Sequence, residues 1–125
     1  MFLIDTDILV DFLRGKSQAV HFLQKALQSE CYITTITVAE LYSGVREGKE
    51  RPILEQFIKE FKPLALTEEV ALIGGLLKRD YGKSHGTGLA DALIAATAIH
   101  YDVRLASLNK KHYPMLKNIH VPYKP

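Results

Sequence analysis

Phe2-Leu3-Ile4-Asp5-Thr6-Asp7-Ile8-Leu9-Val10 opens the chain. Three apolar residues run without a break to an acid, which reads as a short strand buried on both faces. Past Asp5 the period changes. Ile8, Leu9, Phe12 and Leu13 recur at helical spacing, and Gly15 closes that helix. A buried strand passing straight into an amphipathic helix is the start of an α/β fold.

The same alternation continues outward. Val20, Phe22, Leu23, Ala26 and Leu27 form the apolar face of a second helix, and residues 31–35 are a β-branched second strand. Thr37 opens a helix that runs through Glu40 to about residue 47, and a charged turn, 48–52, precedes a helix carrying Ile53, Leu54, Phe57, Ile58 and Phe61. Residues 62–66 read as a third strand. Thr67 caps a helix to about Tyr81, with Glu68 and Glu69 in its first turn, and 82–88 is a polar loop. An alanine-rich helix over 89–101, a fourth strand over 103–107 and a fifth at 119–121 complete the order. Strands separated by helices predict a mainly parallel sheet of four or five strands covered on both faces, a three-layer α/β/α fold. Such sheets place their sites at the carboxyl ends of the strands.

A length of 125 residues suits one domain, 1–125, with one hydrophobic core. A net charge of only +2 does not by itself mark a nucleic-acid binder, although a basic surface beside an acidic pocket is hidden in such a sum. The single cysteine, Cys31, rules out an internal disulfide or a thiolate zinc cluster. The amino terminus has neither a basic leader nor a long apolar stretch, and the apolar run 89–99 is too short to span a bilayer. A cytoplasmic protein with no membrane partner is therefore expected.

Most of the 14 acidic residues lie among other charges on polar faces. Asp5, Glu40 and Asp91 stand in apolar surroundings instead, where an ionised carboxylate needs a partner or a metal. Each also has a structural account. Asp5 can cap the first helix, Thr37-x-x-Glu40 fits a capping box, and Asp91 suits a first helical turn. All three nevertheless fall at the sheet's carboxyl edge. Carboxylates gathered there repel unless a cation lies between them, and carboxylate and water ligands suit Mg²⁺ or Mn²⁺. Such an ion binds a phosphodiester oxygen, activates water and stabilises developing charge, which is nuclease chemistry.

Residues 2–10 resemble the first motif of the PIN-domain nucleases, an apolar strand followed by Asp-Thr-x. Ile36-Thr37-Val38-Ala39-Glu40-Leu41 is similar to their second, with Ser43-Gly44 after it. Residues 89–98 resemble the third, and residues 105–113 the fourth. Within that family the chain looks like the VapC-type toxins of toxin–antitoxin pairs. The resemblance implies an endoribonuclease dependent on Mg²⁺ or Mn²⁺, a homodimer, and a cognate VapB-type antitoxin. It makes Asp5 and Asp91 the principal metal ligands and Glu40 a third acid. It also casts Thr6 as orienting Asp5 or the scissile phosphate. Where the family often carries a further Asp, this chain has Asn109, and Ser107 replaces the commoner Thr. An amide brings no charge, which favours one well-held metal, while Asn109 can still bond a metal-held water or a phosphate. Asp7 and Asp11 are left outside the core site.

Lys83, His85, Lys110 and Lys111 adjoin the acid motifs and are candidates for holding RNA phosphates. Two rival readings remain at this point. Ile4-Asp5-Thr6-Asp7 also fits the nucleophile strand of a haloacid-dehalogenase-type phosphatase, but Leu9 stands where that motif expects a small polar residue, and the later acidic pair is missing. A non-catalytic PIN-like module acting only through its partner is the other.

Overall fold

A computed structural model describes residues 1–125 of the chain. The elements run β1 (Phe2–Ile4), α1 (Thr6–Leu13), α2 (Ser17–Ala26), β2 (Cys31–Thr34), α3 (Thr35–Ser43), α4 (Glu50–Ile58), β3 (Lys62–Leu64), α5 (Glu68–His85), α6 (Leu89–Tyr101) and β4 (Arg104–Ala106). All pairings in the four-stranded sheet are parallel, in the order β3-β2-β1-β4.

Period-two alternation assigns the faces of the sheet. Ile4, Cys31, Ile33 and Ala106 point to one side and pack with Ile8, Leu9, Leu23, Leu41, Leu54 and Phe57 from α1 to α4. Leu3 and Leu105 point to the other and pack with Ile94, Ala95 and Ala98 of α6, Tyr113 and Ile119. The result is the expected three-layer α/β/α architecture. Small residues along α6 let it lie close to α5, so close that a Cβ on Gly74 would come 2.6 Å from Leu93 Cδ2.

Strand order decides where a site can form. From β1 the chain steps outward to β2 and β3, then returns to the opposite side of β1 as β4. The switch point lies between β1 and β4, where an open α/β sheet leaves a crevice at its carboxyl edge. The register pairs Ile4 with Ala106, so Asp5 and Ser107 emerge side by side into that crevice.

Several element ends depart from the sequence reading. The cap of α3 is Thr34, whose Oγ1 accepts the Thr37 N–H at 2.8 Å, so Thr37 lies inside the helix and makes no capping box with Glu40. Helix α5 continues to His85, and the connecting loop shrinks to 86–88, with Gly86 left-handed at φ 66°. Gly82 stays helical because its bare Cα leaves room for Lys78, whose Nζ reaches the Thr87 carbonyl at 3.0 Å. The expected fifth strand is a single bridge, Ala106 to His120, because Pro122 has no N–H with which to extend a ladder. No helix is long and apolar enough to cross a membrane.

Candidate active site

Asp5 is the N-cap of α1, with extended backbone (φ −72°, ψ 154°), and its side chain is buried. Its carboxylate is nevertheless surrounded by donors. Oδ1 accepts the Thr6 N–H at 2.8 Å, while Oδ2 accepts the Ser107 hydroxyl at 2.7 Å and the Tyr113 hydroxyl at 2.8 Å. Burial first, and then the charge of Asp7, push the Asp5 carboxyl up to about 7 against those hydrogen bonds. A buried acid held this high by desolvation and a neighbouring charge marks a candidate functional site.

Asp91 enters from the first turn of α6, three residues past the Gly88 cap. Its Oδ1 lies 3.2 Å from the same Tyr113 hydroxyl, and its Oδ2 lies 3.3 Å from His112 Nδ1. One phenol therefore touches carboxylates 108 and 22 residues away in sequence. Its ring is anchored in the core below α6, and burial first, then the charges of Asp5 and Asp91, hold the phenol well above its ordinary range, hence as a neutral donor.

Glu40 lies more openly on α3. Its Oε1 accepts the Thr6 hydroxyl at 2.7 Å. Thr6 Oγ1 is 3.0 Å from Thr37 Oγ1, which is 3.1 Å from Thr34 Oγ1. Each hydroxyl has one proton. With the Thr6 proton given to Glu40, that of Thr37 points to Thr6 and that of Thr34 to Thr37. This polarised row of three threonines ends on the carboxylate and fixes it against α1. Thr6 thus serves two acids, Asp5 through its amide and Glu40 through its hydroxyl.

The structure adds residues that the sequence reading left out. Asp7 is half-buried, accepting the Ile8 amide at 2.7 Å and the Leu108 amide at 3.0 Å, which ties α1 to the segment after β4. Burial raises its carboxyl, opposed by those two amides. Ser107 and Tyr113 hold Asp5, and His112 meets Asp91. Tyr113 closes the stretch that resembles the fourth motif, but nothing in the sequence marks this one tyrosine among six as buried against an acid.

Other candidates lie further from the acids. The Asn109 amide Nδ2 is 2.6 Å from His112 Nδ1, turned to that ring rather than to a carboxylate. Lys110 and Lys111 are exposed on the 3-10 turn that carries His112. Lys83 and His85 sit in the last turn of α5, where His85 pairs with Ser84 at 2.7 Å, and neither bonds to an acid of the site. Beside Glu40 runs a groove of about 530 Å³, with an apolar floor of Val10, Leu13, Leu41, Val45, Ile53 and Leu54 and the charged residues Arg14, Arg46 and Glu50 also in its lining.

No three His, Cys, Asp or Glu side chains already form a closed ligand set. The donors nevertheless suit a hard divalent ion, being carboxylate oxygens on three rigid elements with the most buried one short of positive charge. Asp7, which the phosphatase alternative needs as its acid–base group, instead accepts a backbone amide on each carboxylate oxygen and ties α1 to the segment after β4.

Known proteins resemble this chain over nearly its whole length. Residues 2–115 match the family model described as PIN domain. Ribonuclease VapC19 of Mycobacterium tuberculosis (strain H37Rv) is 41% identical over 126 residues, covering 98% of this chain and 100% of its own. Ribonuclease VapC10 of the same strain is 36% identical, over 98% of this chain and 93% of its own. A solved toxin–antitoxin complex from Klebsiella pneumoniae contains a chain of like fold, with TM-score 0.86, 24% identity and 100% of both chains covered.

Proposed function

This chain belongs to the PIN-domain family, and from that premise we propose that it is a divalent-metal-dependent endoribonuclease, the toxin of a toxin–antitoxin pair. The observation that carries the reading is the meeting of Asp5 and Asp91 on one hydroxyl at the β1/β4 switch point, in a chain 41% identical to a ribonuclease.

Asp5 and Asp91 hold the cation, with Glu40 as the third acid. Mg²⁺ and Mn²⁺ both suit the oxygen donors, and Mg²⁺ is the assignment for an all-carboxylate set. When bound, the ion supplies Lewis-acid stabilisation of the phosphodiester and a lowered pKa for water. Everything else falls to the chain. Thr6, Ser107 and Tyr113 fix Asp5, and the threonine row fixes Glu40 where it can accept a proton from water. Lys110 and Lys111, carried on the turn that leads into Tyr113, hold the RNA backbone, and Lys83 and His85 supply a second contact from α5. Asn109 acts through His112.

Cleavage of RNA by the purified chain with Mg²⁺ or Mn²⁺, its loss in EDTA, and its loss in Asp5→Asn and Asp91→Asn test the assignment. Undiminished cleavage by either variant sinks it.

The partner is an antitoxin protein, and the groove beside Glu40 takes its apolar segment. That groove abuts an acid of the site, and Ile53 at its rim is 61% exposed. Ile53→Glu should abolish inhibition by the antitoxin while RNA cleavage continues; retained inhibition moves the partner elsewhere. The chain is a homodimer through α5, whose Leu72 and Leu76 lie one turn apart and open to solvent. A solution mass of one chain, 14.1 kDa, refutes that assignment.

A further inference from the structure

We infer that Tyr113 is a positioning residue of the metal centre: its hydroxyl fixes Asp5 with a single Oδ1 lone pair left open for a cation, and leaves the neighbouring Asp91 free to turn to the same ion. The inference rests on the reading that Asp5 and Asp91 hold the metal.

Counting lone pairs leads to it. An ionised carboxylate has about four acceptor sites, two per oxygen. In Asp5 the Thr6 amide takes one on Oδ1, while Ser107 and Tyr113 take both on Oδ2. One remains, on Oδ1. The carboxylate can neither rotate nor bind side-on without breaking a hydrogen bond, so it is set to offer one oxygen in one direction.

The phenol has a single proton, and the shorter contact, 2.8 Å against 3.2 Å, assigns it to Asp5. Asp91 Oδ1 then faces an oxygen that gives it nothing. It is close but unbonded, free to turn to a cation. The two contacts limit the separation of Asp5 Oδ2 and Asp91 Oδ1 to at most their sum, 2.8 Å plus 3.2 Å. The free Oδ1 belongs to that same Asp5 carboxylate, so the open acceptor of Asp5 and the unbonded oxygen of Asp91 lie at one crevice.

Packing alone would not call for the hydroxyl. The ring, 1% exposed, fills the core beside Leu3, Ile94 and Leu105, and a phenylalanine would fill it equally well. A buried hydroxyl without partners is costly, and these partners are two acids of the site. The turn just before it brings His112 to the other Asp91 oxygen, so one short segment addresses both carboxylates.

The test uses the full chain as wild type, Tyr113→Phe and Tyr123→Phe. Mn²⁺ is titrated into each, the free ion is followed by its EPR signal, and metal-free samples are melted in parallel. Tyr113→Phe should melt cooperatively yet bind Mn²⁺ about tenfold more weakly or worse, as losses behind a metal ligand do. Its kcat should fall with the KM for RNA unchanged. Tyr123→Phe, whose hydroxyl serves Asp11, should match wild type. Wild-type affinity in a folded Tyr113→Phe overturns the inference and leaves the two metal acids standing. A wild type that binds no Mn²⁺ overturns both. Should Tyr113→Phe not fold, intact protein labelled at the tyrosine ring carbon that bears oxygen decides. The Tyr113 resonance shifts on adding Mg²⁺ while that of Tyr123 stays, and a Tyr113 signal indifferent to Mg²⁺ overturns the inference.

Discussion

Asp5 is where the chemistry and the stability of the protein conflict. Its carboxyl stands at about 7 in the fold against 3.8 for the free group, so the fold prefers it protonated. The sign follows directly. The stability it contributes is full below 3.8, declines above that, and is gone once the pH has risen through about 7. In EDTA, the wild type relative to Asp5→Asn should lose about 1–3 kcal/mol of unfolding free energy between pH 5 and pH 8, read from urea melts. Asp5→Asn should be the more stable of the two at pH 8 while cutting no RNA; a wild type that gains on the variant across that range contradicts the burial account. The acids themselves were legible in the sequence, because Asp5, Glu40 and Asp91 each interrupt an apolar run. What holds them was not. Ser107 and Tyr113 lie more than a hundred residues from Asp5, and a tyrosine that follows Lys110-Lys111-His112 gives no sign of burial. Glu40 looked like half of a capping box, and only the strand register shows that Thr34 is the cap and that Thr37 belongs to a row of hydroxyls.

Among the elements, α5 departs most from the sequence pattern, and it does so for a packing reason. Gly82 suggests a break, yet the helix runs on because Lys78 uses the space above that glycine to reach the Thr87 carbonyl. Thr87 in turn donates to the His112 carbonyl at 2.8 Å, so the end of α5 is tied to the turn that presents Tyr113. Local periodicity carries no information about such a link. Gly74 presents the same lesson in the packing of α5 against α6. A methyl there would meet Leu93 Cδ2 at 2.6 Å and its Cα at 3.3 Å. Backbone does not yield as a side-chain end does, so α6 must move. Gly74→Ala should therefore destabilise by about 1–3 kcal/mol from overpacking, more than the roughly 1 kcal/mol that alanine adds to helix propensity. Urea unfolding measures it, and a neutral or stabilised variant would show that α6 shifts freely. Because α6 carries Asp91, the same variant should also weaken cleavage. The first strand was read to the residue and the next three to within about two residues at an end, since the helical segments on either side leave little choice. The fifth failed beyond one bridge because the pattern at Ile119-His120-Val121 does not register Pro122.

At the scale of the molecule, the order β3-β2-β1-β4 places the switch point between β1 and β4, where Asp5 and Ser107 emerge, with Glu40 joined to it through Thr6. The alternation of elements in the sequence implied a parallel sheet but not its order, which is a long-range fact set by β4 crossing back beside β1. In the proposed nuclease that crossing also sets a basic segment beside the crevice. The segment leaving β4 carries Lys110 and Lys111, both exposed, before its side chains turn inward to His112 and Tyr113. A net charge of +2 spread over the chain cannot steer RNA, so the attraction has to be local to such a segment. Phosphate contacts of this kind release counterions, each steepening the salt dependence of single-strand binding by about 0.7 in log–log slope. Replacing both lysines with alanine should raise the KM for RNA and flatten its dependence on KCl by up to about 1.4, leaving kcat near its wild-type value because neither side chain bonds to an acid. If the slope is unchanged and KM rises instead on replacing Lys83 and His85, RNA enters across the end of α5, and the turn serves only to position the carboxylates.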